Sequence, residues 1–426
     1  MSMDILSLYG NLFTFNGRKC NCKIETFYTP EGTEKHRLRI REISDANIRF
    51  AFMPEQGLIT IDLKTGAAGK ENILSELVSI KMGDIHALAT FFEKYGFWLP
   101  LTDKYLESFE ASDILNIHKR ILYTIKILSA LQQKKTDYMK LYSQICWLTL
   151  MTPTQLKSSE SDDSIIYQTC VHKFIEYMNG TIPVEKPEQD SHELMYGSLY
   201  DNPDAKIMVK DSIRAPETLI YGSSLIEAMM AESDYDNPEY HIEDRPILSL
   251  ANLINLFRFT ENINGADRFI IEYFYHMETE IGQISGINEN DDLIFFKDIK
   301  DNYKHHFDSL LKKATIKAAK LIVKEEIDYN LSEISPSYNI QTMSPSWKIP
   351  DLMTALFFSI FYMRSDLEVY RKCENQNCTK YFLVSTTNSR KKYCSPGCAN
   401  AMAQRMHRKR KKVPIQIDTS LKADHT

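Results

Sequence analysis

Four cysteines near the C-terminus constrain this chain more than any other feature. Cys373 and Cys378 are separated by four residues, and after a spacer of fifteen residues Cys394 and Cys398 are separated by three. Two close pairs joined by a short segment can gather four thiolates around one tetrahedral ion. A site made of four sulfur ligands leaves no position for water, so one structural Zn2+ is expected and not a catalytic one. Residues 381–384 (YFLV) read as one arm of a hairpin, Asn388 as a turn residue, and Tyr393 as the approach to the second pair. Ser395 is placed to cap a helix whose first turn holds Pro396 and Cys398. A hairpin followed by a helix that presents a ligand predicts a treble-clef-like finger, and a thiolate at a helix N-terminus is favoured by the exposed amides there.

Charge is distributed unevenly about this module. The chain carries a formal net charge of -6, yet residues 371–412 hold 12 Lys or Arg and one acidic residue, Glu374. Residues 413–426 add -1, which leaves residues 1–370 with -16. An acidic body is repelled by phosphate backbones, so nucleic-acid contact is expected to be confined to the basic end. A helix over residues 396–411 would be roughly 24 Å long, enough to cross a major groove. Arg405, Arg408, Lys409 and Lys412 recur on it at steps of three and four and suit phosphate oxygens; Asn400, Gln404 or Arg405 are placed to reach base edges.

The rest of the sequence describes a folded, water-soluble protein. With 426 residues, 43% of them hydrophobic and 25% charged, it is long enough for several domains with their own cores. No basic segment followed by an apolar run opens the chain, and the densest apolar stretch, residues 352–363, is shorter than the roughly 20 residues a bilayer requires. A cytoplasmic, non-membrane protein with reduced cysteines is expected. Cys20 and Cys22 are read as pointing to different faces of a strand. Cys146 and Cys170 are read as apolar helical residues, with His172 on the wrong helix face to join Cys170. Neither a His-Glu-x-x-His spacing nor a phosphate loop ending in Lys-Ser/Thr occurs, so no catalytic residue is assigned.

Periodicity predicts an α+β organisation in three parts. Residues 1–70 contain short strand-like pieces, with 47–52 and 58–63 alternating at period two around a turn. Residues 71–340 form a mostly helical acidic body, with helices over 84–94, 113–133, 136–151, 162–178, 245–258, 265–280 and 305–328. Exposed loops are expected over 181–205 and 229–244. Residues 332–350 hold three prolines and read as a linker. Residues 350–415 then supply a helix, apolar on nearly all sides and so packed on nearly all sides, and the finger.

The C-terminal stretch resembles the CGNR zinc finger family. The likeness rests on the early cysteine pair, the hydrophobic hairpin containing Phe382, and the Tyr393-Cys394-Ser395 start of the second pair. At the last ligand the family's Cys-Gly-Asn-Arg motif is replaced by Cys398-Ala399-Asn400-Ala401, with Arg405 or Arg408 available for the charge of the lost arginine. The resemblance implies a bacterial transcription regulator that contacts double-stranded DNA through the finger. RNA binding is the alternative, with Tyr381, Phe382 and Tyr393 offered as stacking surfaces. Two others are a protein-interaction module and an effector enzyme brought to nucleic acid by the finger. A protein or small-molecule partner would fall to the acidic body.

Overall fold

The computed structural model describes residues 13–178, 263–362 and 368–412, with internal gaps, and Phe257. Apolar alternation at the N-terminus produces β1 (Phe13–Tyr28), β2 (Glu34–Met53) and β3 (Gly57–Ile61). Helical periodicity follows in α1 (Ile73–Ser79) and α2 (Ile85–Tyr95), and β4 (Glu107–Glu110) leads into α3 (Ala111–Leu131) and α4 (Tyr138–Leu150). Next come β5 (Gln155–Lys157), β6 (Ile165–Gln168), α5 (Lys173–Met178), α6 (Ala266–Glu280), β7 (Ile284–Ile287) and β8 (Leu293–Phe295). The body closes with α7 (Ser309–Asn330), β9 (Ser335–Asn339), β10 (Ser344–Lys348) and α8 (Leu352–Tyr362). The last module comprises β11 (Glu368–Lys372), β12 (Tyr381–Ser385) and α9 (Pro396–Lys412). The fold is α+β.

The main sheet is antiparallel, with β2 in the middle and β1, β3 and β4 paired to it. The pairing Arg49↔Ile61 to Met53↔Gly57 is the hairpin that the alternation predicts. The lengths of β1 and β2, 16 and 20 residues, go beyond the short pieces expected there. Leu38 and Ile40 are buried between the outward Arg37, Arg39 and Arg41, so this part of β2 has one apolar face, whereas farther along Phe50 and Phe52 are buried on one face and Ala51 and Met53 on the other. The register breaks between Arg18 and Cys20, which divides the periodicity. Cys20 and Cys22 share a face, their sulfurs 3.8 Å apart, because residues i and i+2 of a strand point the same way; the reading of opposite faces is corrected.

Local capping fixes several helix starts. Asp84, Asp137 and Asp308 each accept a backbone N–H from the first turn of α2, α4 and α7. Gly96 stops α2 at φ 85, and a Cβ there would approach the Arg18 carbonyl oxygen to 2.3 Å, so glycine answers both the backbone conformation and the close strand. The expected helix over 162–178 is not formed as such. β6 pairs with β5, as the β-branched Ile165 and Ile166 favour, residues 169–172 have no regular structure, and the helix begins only at Lys173. The expected linker over 332–350 contains the β9–β10 hairpin. A two-stranded hairpin is all edge, and so tolerates Pro336 and Pro345. The loops at 181–205 and 229–244, and the helix at 245–258 except Phe257, lie outside the described residues.

Two large apolar clusters make up most of the body, and α3 belongs to both; a small third one joins Ala51 and Met53 of β2 to Ile59 and Ile61 of β3. The first gathers β1–β3, α1, α2, residues such as Ile114, Ile117 and Ile121 of α3, and α8. The second takes Tyr123 and Ile127 of α3 with α4–α7. At the seam, Arg120 donates to Glu326 of α7 through Nε and Nη2, both at 2.7 Å, and Nη2 also donates to the Cys170 carbonyl at 2.7 Å. The helix α8 is buried from Leu352 to Ile360 and inserts Phe358 against Phe13, ring centroids 4.9 Å apart, and Tyr362 at 4.7 Å. Phe358→Asp would place an unpaired carboxylate in this cluster and is expected to cost on the order of 4 kcal/mol or more, read as a lowered urea midpoint of the whole body. Glu326→Ala, which strands a buried guanidinium, is expected to cost about 3–5 kcal/mol by the same measurement.

Candidate metal centre

The hairpin β11–β12 builds the first half of the centre. Its register runs from Glu368↔Ser385 to Lys372↔Tyr381, so the first cysteine pair occupies the turn between the strands. The partner of residues 381–384 is thus the strand before the cysteines, and Asn388 lies outside the described residues. Cys373 donates its N–H to the Lys380 carbonyl at 2.9 Å, and Cys378 donates to that of Asn375 at 2.7 Å, a tight knuckle that turns both thiols inward. Glu374 donates to the Lys392 carbonyl at 3.0 Å and ties the knuckle to the second pair. Ser395 caps α9 as its sequence position predicts, its hydroxyl accepting from Cys398 at 3.3 Å.

These elements bring four sulfurs together. All four lie within 4.8 Å of one another, with Cys378–Cys394 and Cys394–Cys398 at 3.6 Å. A tetrahedral ion with Zn–S of about 2.3 Å sets sulfur–sulfur edges of about 3.8 Å, so the group fits zinc without rearrangement. Cys373, Phe382 and Val384 are buried beneath it, and the Cys394 N–H points at the Cys373 sulfur at 3.5 Å. Among the described residues the module's core is little more than its thiols with Phe382 and Val384, so a bound metal supplies cohesion that apolar burial cannot at this size. The four cysteines hold one structural Zn2+.

The thiols are electrostatically unequal. The amide of the buried Asn375, then the Ser395 hydroxyl and Cys394, hold Cys398 down to about 6. Burial, followed by hydrogen bonds with the neighbouring thiols, pushes Cys394 up to about 12 and raises Cys378. The first proton is therefore lost at the helix end, and the ion must displace the others. Falling pH returns protons to the ligands and opposes zinc, most steeply as Cys398 itself protonates near 6. Against a fixed chelator concentration, zinc retention measured by atomic emission should fall as pH drops from 7.5 towards 5.5. At neutral pH the purified protein should carry about one zinc per chain, and Cys394→Ser should lose it while the helical circular dichroism of the body is retained. Full retention of zinc by that variant would overturn the four-ligand assignment.

The helix α9 places the other expected residues on one rod. Asn400, Gln404 and Arg408 are exposed at successive four-residue steps, Arg405 is half-buried, and Lys409 and Lys412 lie on the same helix. Phe382, proposed for base stacking, is buried in the module's own core, which removes it from that use.

The sequence reading missed a polar group in the body. Cys170, His172 and Glu326 place a thiol, an imidazole nitrogen and a carboxylate oxygen within 4.8 Å of one another, all buried. Residues 169–172 lie between β6 and α5 and belong to no helix, so the helical geometry that would separate Cys170 from His172 does not apply. The cationic position among them is filled by Arg120, whose Nη2 lies 2.7 Å from Glu326 and 3.4 Å from His172 Nε2. Burial and the Glu326 charge push the Cys170 thiol up, which disfavours the thiolate a nucleophile requires. Cys20 and Cys22 gain no third ligand among the described residues.

No curated protein and no solved structure matches the chain. Residues 370–411, which enclose the knuckle, the four sulfurs and the helix that starts at the last ligand, match the family model of the CGNR zinc finger, and the C-terminal module is a zinc finger of that kind.

Proposed function

We propose that this chain is a bacterial, cytoplasmic DNA-binding regulator in which a treble-clef-like finger presents α9 to double-stranded DNA. The observation that carries this reading is the course of α9. It starts at the last zinc ligand, exposes Asn400, Gln404 and Arg408 along one line, and continues into an unbroken run of basic residues from 408 to 412. A rod of 17 residues is about 25 Å long and fits a major groove. Zinc fixes its first turn, so the cations are held at a set distance from the module. Arg405, Arg408, Lys409 and Lys412 take phosphates, while Asn400 and Gln404, nearer the fixed end, take base edges. Burial of Phe382 weighs against the reading in which the finger stacks RNA bases. The three-part division at residues 70 and 350 is kept as a functional one: a strand region, an acidic body that receives a protein or small-molecule signal, and the finger.

The test uses the full chain. Replacing Arg405, Arg408 and Lys409 together by Ala should weaken duplex binding, measured by fluorescence anisotropy, and reduce the slope of log affinity against log salt by about one for each lost contact. Zinc content should not change, because none of the three is a ligand. Asn400→Ala or Gln404→Ala should instead alter preference among duplex sequences at constant salt slope. Unchanged binding by the triple variant would remove α9 from the mechanism.

A further inference from the structure

The acidic sum of the body conceals a basic surface on its main sheet. Residues 18–41 hold seven Lys or Arg and three carboxylates, so the remainder of residues 1–370 is even more acidic than its total. The register sorts these charges onto one face. Cys22 and Ile24 of β1 pair with Ile40 and Leu38 of β2 towards the core, which turns the alternate pairs, Asn21 with Arg41, Lys23 with Arg39 and Glu25 with Arg37, towards solvent. That face carries Lys23, Lys35, Arg37, Arg39 and Arg41, and the carboxylates it holds among the described residues are Glu25 and Glu110 of β4.

The carboxylates arrange the cations and do not neutralise them. Glu25 accepts from Lys23 at 2.9 Å through one oxygen and from Arg39 at 2.8 Å through the other, while Glu110 takes Arg37. Arg37 also lies over the Phe27 ring at 4.7 Å, which keeps its guanidinium flat on the sheet. Among the described residues, Arg41 meets no carboxylate. Arg37, Arg39 and Arg41 therefore form a row with steps of about 6.8 Å on a rigid strand, flanked by Lys23.

We infer that this sheet face is a second nucleic-acid contact, holding the phosphate backbone of the polymer bound by the finger. The inference rests on the nucleic-acid reading of α9. A row of guanidinium groups along a strand suits a line of phosphates, each of which offers the oxygens that guanidinium recognises. A membrane surface fits less well, because the aromatic ring of the face, Phe27, lies under Arg37 and is not free to insert. The surrounding acidic body repels the polymer elsewhere and restricts contact to the two basic surfaces.

The experiment compares full-length, zinc-loaded proteins by anisotropy on duplex DNA and on single-stranded RNA over a range of NaCl. Lys23→Gln, Arg39→Gln and Arg41→Gln are combined in one variant; all three side chains face solvent, and the thermal midpoint checks that the fold is kept. Its affinity should fall about tenfold or more at 0.1 M salt, and its salt slope on duplex DNA by up to about 2.7. A control with the same charge loss on α7, Lys313→Gln, Lys320→Gln and Lys324→Gln, should bind nearly as the parent does. Equal loss in the control would reduce the effect to net charge and overturn the inference. Parental affinity and slope in the sheet variant, with binding lost in the Arg405/Arg408/Lys409 variant, would also overturn it and leave the finger reading intact. Loss in the sheet variant alone would overturn the finger reading, and with it the inference of a second contact to the polymer that the finger binds. The polymer on which the sheet variant loses more slope identifies the backbone that this face holds.

Discussion

The buried ion pair between Arg120 and Glu326 is the constraint around which the body is arranged. Their side chains are 6% and 0% exposed, so both charges have given up water almost completely. Such a loss is offset only when every donor and acceptor is engaged. Arg120 meets that demand with two parallel bonds to Glu326 and one to the Cys170 carbonyl. Next to it, His172 bonds Glu325 at 2.8 Å; burial opposes ionisation of that carboxyl, but the His172 contact holds it below its usual range. The network joins α3, the 169–172 segment and α7, the last more than 150 residues from the other two in sequence. Its geometry fixes how the two apolar clusters meet along α3, because hydrophobic contact alone is tolerant of sliding and a bidentate pair is not.

From that seam the position of the finger follows. The helix α8 is packed in the first cluster, and the finger's hairpin lies against α1 and α3; Glu76 and then Lys94 hold the Glu71 carboxyl down to about 2, and Lys380 of the finger adds a smaller contribution. The zinc module is thus seated on the body. A fragment beginning at residue 350 would expose the apolar surface of α8 from Leu352 to Ile360, so its behaviour would report that exposure as much as the finger. Substitution within the full chain separates the two.

What could be read from the sequence was what is decided locally. The cysteine spacing, the Ser395 cap, and Asp84 with Gly96 around α2 all depend on residues within a few positions of one another, and the structure has them in the expected roles. The convergence of Cys170 and His172 on Glu326 depends on a contact across 154 or more positions and on β6 replacing a helix, and neither leaves a periodic trace. The pairing of the first cysteines with a strand before them was hidden because residues 368–372 are charged at most positions. The alternation of arginine with Leu38 and Ile40 was visible, yet its meaning required the register that turns one set inward.

That last point bears on how electrostatics should be read from composition. A net charge of -16 over residues 1–370 describes the field at distances well beyond the Debye length of about 8–10 Å, where it is largely screened anyway. Contact with a polymer is made within that length, where the partition of charge among faces decides the sign. A strand partitions charge completely, because its period of two assigns every second residue to one face. The same cations scattered around a helix would have been interleaved with the body's carboxylates. On β1 and β2 they form a positive surface inside a negative protein, and the surrounding repulsion makes that surface the place where a phosphate backbone can approach the body.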